Sequence, residues 1–149
     1  MNPMKTNPSN EKEVRELRDY ERLVQDKYLD FFEQKDAVYS VCDGVHPPRY
    51  VGIAFEFICE ISSSYLDVDY SDLYDNVFKD ERWLFADSLT ALSDDFLDSL
   101  SARQIVTILA AMRHKELFCS GFIEQCGKMG VVIKLLKKLK RKIEKGRKV

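Results

Sequence analysis

From Gly130 onward the chain places apolar residues at Val132, Leu135, Leu136, Leu139 and Ile143 and fills most of the gaps with lysine and arginine. That spacing returns to one face only at the 3.6-residue period of an α-helix. The flanks are too charged for a bilayer, and nowhere does the sequence run to the ~18 successive apolar residues that a spanning helix needs. Such a helix must lie on an apolar surface, which the rest of the chain has to supply.

Helical spacing recurs upstream. Val14, Leu17, Tyr20, Val24, Tyr28 and Phe31 fall on one face, opposite Glu16, Asp19, Arg22, Gln25 and Asp26. The pattern predicts a long amphipathic helix within 10–42, opened by Asn10 and Glu13, with a weak point near Lys35. A polar stretch at 1–9 with two prolines precedes it and is expected to be disordered. Asp43-Gly44-Val45-His46-Pro47-Pro48 must stop it, because prolines lack the donor and force extended geometry on what comes before. In 49–66 the alternation of Val51, Ile53, Phe55 and Phe57 suggests a strand. Arg49, Gly52, Glu56, Glu60, Ser63 and Asp67 nevertheless make one helical face, so a mostly buried helix is expected, with Cys59 as a small core residue. Residues 67–92 are aromatic and acidic, with short helical turns expected near 71–78 and 80–91. Ser93 is placed to cap a short helix through Phe96, Leu97 and Leu100. Ser101 with Gln104 forms a capping box that opens a helix over 102–116, striped by Ile105, Ile108, Leu109 and Met112. A short helix over 119–126 is expected to end at Gly127 in a left-handed cap, before a last helix over 130–145. No strand emerges. The fold class is all-α, a compact single-domain helical bundle of five to seven helices, with its helical domain over 43–145 and a basic tail at 146–149.

Two stretches carry a resemblance. The first runs from Pro48-Arg49-Tyr50 through a helix ending in Phe57-Ile58 to Leu66-Asp67-Val68-Asp69-Tyr70 and Leu73-Tyr74. The second, Leu100 to Leu139, contains Thr107, Arg113, Glu116-Leu117-Phe118-Cys119-Ser120-Gly121 and Gly130. Over about residues 43–143 the chain resembles a prokaryotic domain-of-unknown-function family, number 6508. Tyr70 and Tyr74 stand where that family has tryptophans, and Leu117 where it usually has a second arginine. The resemblance implies a compact helical domain with no assigned activity, met in phage and mobile-element neighbourhoods. It marks Arg113, Glu116, Phe118, Gly121 and Gly130 as motif residues. Their expected role is structural: an Arg113–Glu116 pair closing a helix, Phe118 anchoring the turn in the core, and Gly121 allowing the turn.

Charge divides the chain. Residues 134–149 hold nine Lys/Arg and one acid, about +8, whereas residues 1–133 hold 14 bases and 24 acids, about −10. Such a split implies contact between the two parts or an electrostatic partner. The four cysteines, Cys42, Cys59, Cys119 and Cys126, accompany no apolar leader, so free thiols and a cytoplasmic location are expected. Cys42-x3-His46 and Cys119-x6-Cys126 do not match the tight spacing of structural zinc sites, so neither a metal nor another cofactor is expected. No catalytic motif or phosphate loop points to an enzyme, and the carboxylates Glu56 and Glu60, which share a helix face at i, i+4, read as a solvated face rather than an acid–base pair. The leading expectation is a small non-enzymatic interaction protein. It would bind a protein partner through the acidic–aromatic residues Asp67, Asp69, Tyr70, Asp72, Tyr74 and Asp75, as a phage-type inhibitor of a host nucleic-acid-processing defence complex does. The alternative is a nucleic-acid-binding protein using Lys137, Lys138, Lys140, Arg141, Lys142 and Lys145 of the basic helix. The N-terminal helix is the expected face for any homodimer, and no membrane contact is expected, because the apolar stripe of the last helix reads as core.

Overall fold

A computed structural model describes residues 18–64, 89 and 92–147. Among them the chain is mostly helical. A helical segment at 18–23 leads into α1 (Asp26–Glu33), then come α2 (Gly52–Ser64), α3 (Asp94–Ser99), α4 (Ala102–Glu116), α5 (Phe122–Lys128) and α6 (Val131–Arg147). The number of helices falls in the expected range. A two-stranded antiparallel ladder, β1 (Ser40–Val41) with β2 (Arg49–Tyr50), was not expected; Ser40 pairs with Tyr50 and Val41 with Arg49. Two residues per strand are too few for a period-two pattern to register in a sequence.

The core gathers on α6. Its expected stripe is buried throughout, with Val132, Leu136 and Leu139 fully enclosed. Helices α1, α3, α4 and α5 all pack against it. The box that opens α4 is present in both directions: Ser101 Oγ accepts from Gln104 N–H at 3.1 Å, and Gln104 Oε1 accepts from Ser101 N–H at 2.9 Å. Ser93 caps α3 by accepting from Phe96 N–H. Every residue of α4 from Ile105 to Met112 is buried, more than a single stripe, because α2, α5 and α6 surround it.

The long N-terminal helix is corrected. Its described part breaks at Gln25, which is extended (φ −61°, ψ 147°), and α1 ends at Glu33 rather than running to 42. Tyr20, Val24, Tyr28 and Phe31 are buried as expected, and Leu23 joins them. Packing explains the early end. Leaving the helix at Gln34 brings Tyr39 edge-on to Phe31, centroids 4.9 Å apart, while Phe32 meets Phe57 at 4.8 Å and Tyr28 meets Phe57 at 5.2 Å. Such edge-to-face contacts outweigh the small helix propensity of a few residues.

The second helix is only half buried. Ala54, Phe57 and Ile61 face the core, but Phe55 is 54% exposed and Cys59 is exposed. Among the described residues its main packing partners are α1 and α4, and an apolar run does not there imply burial all round.

The left-handed cap expected at Gly127 is corrected as well. The glycines flanking α5, Gly121 (φ 88°) and Gly130 (φ 81°), are left-handed, and Gly127 lies inside α5. Gly127 is required for a different reason: a β-carbon there would sit 2.4 Å from the Tyr39 hydroxyl and 2.7 Å from its ring. The ring cannot retreat, being held by Phe31 and Phe32. Gly127→Ala is expected to cost about 2 kcal/mol by overpacking, and Tyr39→Phe, which deletes the nearest atom, should recover part of it. Thermal melts of both variants and the double variant check this. Among the described residues the same hydroxyl is buried and has no hydrogen-bond partner, so Tyr39→Phe alone should melt no lower than the parent.

Candidate functional site

Helix α4 delivers Glu116 to a corner where it does more than pair locally. Glu116 Oε2 accepts the Gly121 N–H at 2.6 Å, Oε1 accepts the Ile123 N–H at 2.9 Å, and Oε1 also receives the Tyr50 hydroxyl. The Tyr50 oxygen in turn accepts the Glu124 N–H at 3.1 Å. These N–H groups are the orphan donors at the start of α5. One carboxylate and one phenol satisfy three of them, and a negative charge is favoured at that helix end. A second strap comes from β1: Ser40 Oγ donates to Glu124 at 2.6 Å, and Lys128 pairs with the same carboxylate at 3.0 Å. The hairpin is thus pinned onto α5 through both strands. Burial, with the Glu116 carboxylate beside it, pushes the Tyr50 phenol far above its usual range. Cys126 is likewise pushed up to about 12, first by burial and then by the Glu116 charge, which makes it an inert thiol.

Of the motif residues, Gly121 takes the expected turn, Gly130 precedes α6 in a left-handed conformation, and Arg113 lies in the last turn of α4 with His114 and Lys115. Phe118 is corrected. It is 75% exposed rather than buried, and its ring meets only the edge of His114, at 5.5 Å, among the ring contacts described. The turn is fixed by Glu116 through the backbone, so it needs no aromatic anchor. Tyr50, Ser40 and Glu124 were missed as partners. The one sequence signal for them was Tyr50 itself, an aromatic with a polar tip directly after two prolines and an arginine.

The hairpin loop places Asp43 to accept the Val45 and His46 N–H groups at 2.9 and 2.8 Å and to meet His46 Nδ1 at 2.8 Å. Those bonds, the His46 backbone first, hold the Asp43 carboxyl down to about 2. All four cysteines are free thiols, and among the described residues no three His, Cys, Asp or Glu converge on a point that could hold a metal.

The basic helix is largely turned onto the acidic body. Lys134 Nζ donates to the Leu92 carbonyl at 2.8 Å and meets Asp94 at 3.5 Å. Lys137 pairs with Glu33. Lys138 is 8% exposed and pairs with Asp98 at 2.8 Å, and Lys142 donates to the Asp98 carbonyl at 2.9 Å. Lys138 is therefore corrected as a candidate nucleic-acid contact, since α3 covers it. Arg141 and Lys145 are exposed, and Lys140 is half-buried. The acidic–aromatic residues Asp67, Asp69, Tyr70, Asp72, Tyr74 and Asp75 lie outside the described residues.

The hydrogen bond from Lys138 lowers the Asp98 carboxyl below its ordinary value. A carboxyl whose pKa is lower folded than unfolded stabilises the fold fully above its unfolded value, near about 3.9, and loses that contribution as pH falls through the folded value. Denaturant midpoints measured from neutral pH into that acidic range should fall, and less steeply in Asp98→Asn than in the parent.

No family model, curated protein or solved structure matches the chain.

Proposed function

We propose that this chain is a compact, single-domain, non-enzymatic interaction protein of the cytoplasm that binds a protein partner through Asp67, Asp69, Tyr70, Asp72, Tyr74 and Asp75. The supporting observation is the way charge is used inside the fold. Lys134, Lys137, Lys138 and Lys142 engage Glu33, Asp94, Asp98 and nearby carbonyls. That withdraws cations from any phosphate. The run 65–78, by contrast, holds four aspartates and three tyrosines and not one base. Such a segment complements a basic groove, and complementary potentials steer and select partners. A protein that competes for the groove of a nucleic-acid-processing complex, in the manner of a phage-type inhibitor, fits that chemistry.

The second reading, nucleic-acid binding, is left with Lys140, Arg141 and Lys145 as its main contacts. Each neutralised phosphate adds about 0.9 to the slope of log affinity against log salt, so three contacts give weak, shallow binding. Fluorescence anisotropy with labelled duplex and single-stranded DNA and RNA across a salt series tests this. Feeble binding is expected from the parent and little change from the triple variant Lys140→Gln, Arg141→Gln, Lys145→Gln. Tight, salt-steep binding abolished by that variant would replace the first reading with the second. The first reading itself expects capture of a purified basic nucleic-acid-binding enzyme by the full chain. Capture should be lost in Asp67→Asn, Asp69→Asn, Asp72→Asn, Asp75→Asn and retained in the triple variant; no capture by the parent would overturn it.

A further inference from the structure

The loop of the β1–β2 hairpin carries a cluster that neither the α5 corner nor the proposed partner surface uses. Val41, Cys42, Asp43, His46, Pro47 and Arg49 line one concavity of about 110 Å³. Cys42 is an exposed free thiol. Asp43 gives its two oxygens separate tasks. Oδ1 accepts the Val45 and His46 N–H groups and so sets the turn, while Oδ2 meets His46 Nδ1 at 2.8 Å. An ionised carboxylate has no proton to give, so this second bond runs from Nδ1–H to Oδ2. The neutral imidazole then carries its lone pair on Nε2. Arg49 lines the same concavity, and its guanidinium makes no ion pair among the described residues. A thiol, a base oriented by a carboxylate and an unpaired guanidinium thus share one small opening. Nucleophile, base and orienting group are the parts that activate a thiol, and reactive thiols occupy exposed, cation-rich settings of this kind.

We propose that Cys42 is a site of thiol–disulfide exchange with a small disulfide that carries carboxylates, and that it retains one half of that molecule as a mixed disulfide. His46 Nε2 receives the Cys42 proton, directly or through one water. The Cys42 sulfur attacks one sulfur of the incoming disulfide, the S–S bond breaks, and the departing thiolate takes the proton back from His46. Cys42 is oxidised, and the leaving half is reduced and released as a free thiol. Arg49 holds a carboxylate of the retained half, a pairing that its planar guanidinium fits. The size of the concavity suits the end of a small molecule, and the exchange is independent of the partner surface at 67–75. Cys59 and Cys119 are also exposed, but neither lines this concavity, and Cys126 is buried. The chain therefore carries its own reference thiols.

The test is the rate at which each cysteine of the full chain forms a mixed disulfide at neutral pH, read by acid quenching and peptide mass spectrometry. The probes are oxidised glutathione, which carries carboxylates, and hydroxyethyl disulfide, which carries no charge. With oxidised glutathione Cys42 should react roughly tenfold faster than Cys59 or Cys119, short of the ~10²–10⁴ that a positioned base supplies in an enclosed site, because this concavity opens to water. His46→Gln should abolish that lead with both probes. Asp43→Asn keeps an oxygen for the two N–H groups of the turn and removes only the acceptor for the ring, so it should reduce the lead while leaving the loop in place. Arg49→Gln should slow Cys42 with oxidised glutathione and leave its rate with hydroxyethyl disulfide unchanged. Circular dichroism melts confirm that each variant is folded. Reaction of Cys42 no faster than Cys59 and Cys119 overturns the proposal. So does a lead that survives His46→Gln. An Arg49→Gln effect of equal size with both probes overturns the choice of a carboxylate-bearing ligand.

Discussion

A chain ended at Ile133 is expected not to fold. The cut removes Leu135, Leu136, Leu139 and Ile143, all of them at most 3% exposed. Each such side chain contributes about 1.5–3 kcal/mol by burial, so the four together contribute roughly 6–12 kcal/mol. That equals the whole net stability of an ordinary domain, about 5–15 kcal/mol. The loss extends further, because α1, α3, α4 and α5 all pack on α6 and would expose their own apolar faces. Far-ultraviolet circular dichroism should show a largely unstructured chain with no cooperative melt. The basic end cannot therefore be studied by deleting it. Replacing Lys140, Arg141 and Lys145 by glutamine keeps the stripe and should leave the melting temperature nearly unchanged, as surface substitutions usually do. A helical, cooperatively melting truncated chain would show that α6 is not the centre of the core.

Glu116→Ala is expected to be the most damaging single substitution outside the apolar core. It deletes the acceptor for the Tyr50 hydroxyl and for two N–H groups at the start of α5. Hydrogen bonds to a charged group are worth about 1.5–3 kcal/mol each, and part-buried donors are left without partners, so a loss of about 4 kcal/mol follows at the low end of that range. For a chain of this size that is about 10 °C in melting temperature. Tyr50→Phe should cost less, about 1–2 kcal/mol, because Glu116 keeps its two backbone donors. The double variant should lose less than the sum, since the Tyr50–Glu116 bond is counted in both singles. A Glu116→Ala protein that melts within about 2 °C of the parent, against that scale, would mean that the corner is fixed by packing alone.

The parts legible in the sequence are those decided by neighbours along the chain. Ser101 and Gln104 lie three residues apart, and the helix they open runs over 102–116 as their spacing predicts. The stripe of α6 is read the same way. The parts that were not legible are decided across long separations. Glu116 reads along the chain as a local group beside Arg113, three residues away, and no local pattern shows that its oxygens also serve Tyr50, 66 residues away, and the next helix. Lys138 looked solvated until α3 placed Asp98 over it, 40 residues distant in sequence. Phe118 and Cys59 show the same limit from the other side: an apolar residue type states a preference for burial, and the packing of neighbouring elements decides whether it is met. Gly127 was marked correctly as a special position, but for the wrong property. Its missing β-carbon makes room for Tyr39, an approach that no local pattern encodes.

The central position of α6 also bears on how the chain comes off the ribosome. Synthesis proceeds from the N-terminus, so α1 to α5 are complete before the seventeen residues of α6 exist. Until then the sides of α1, α3, α4 and α5 that meet α6 lack the surface they finally cover. Most of the nascent chain must therefore wait with apolar surface open to water, a state prone to aggregation and recognised by chaperones. Folding of this domain is in that sense a single late event, set off by emergence of one lysine-rich helix whose charges keep it soluble until its stripe finds the others.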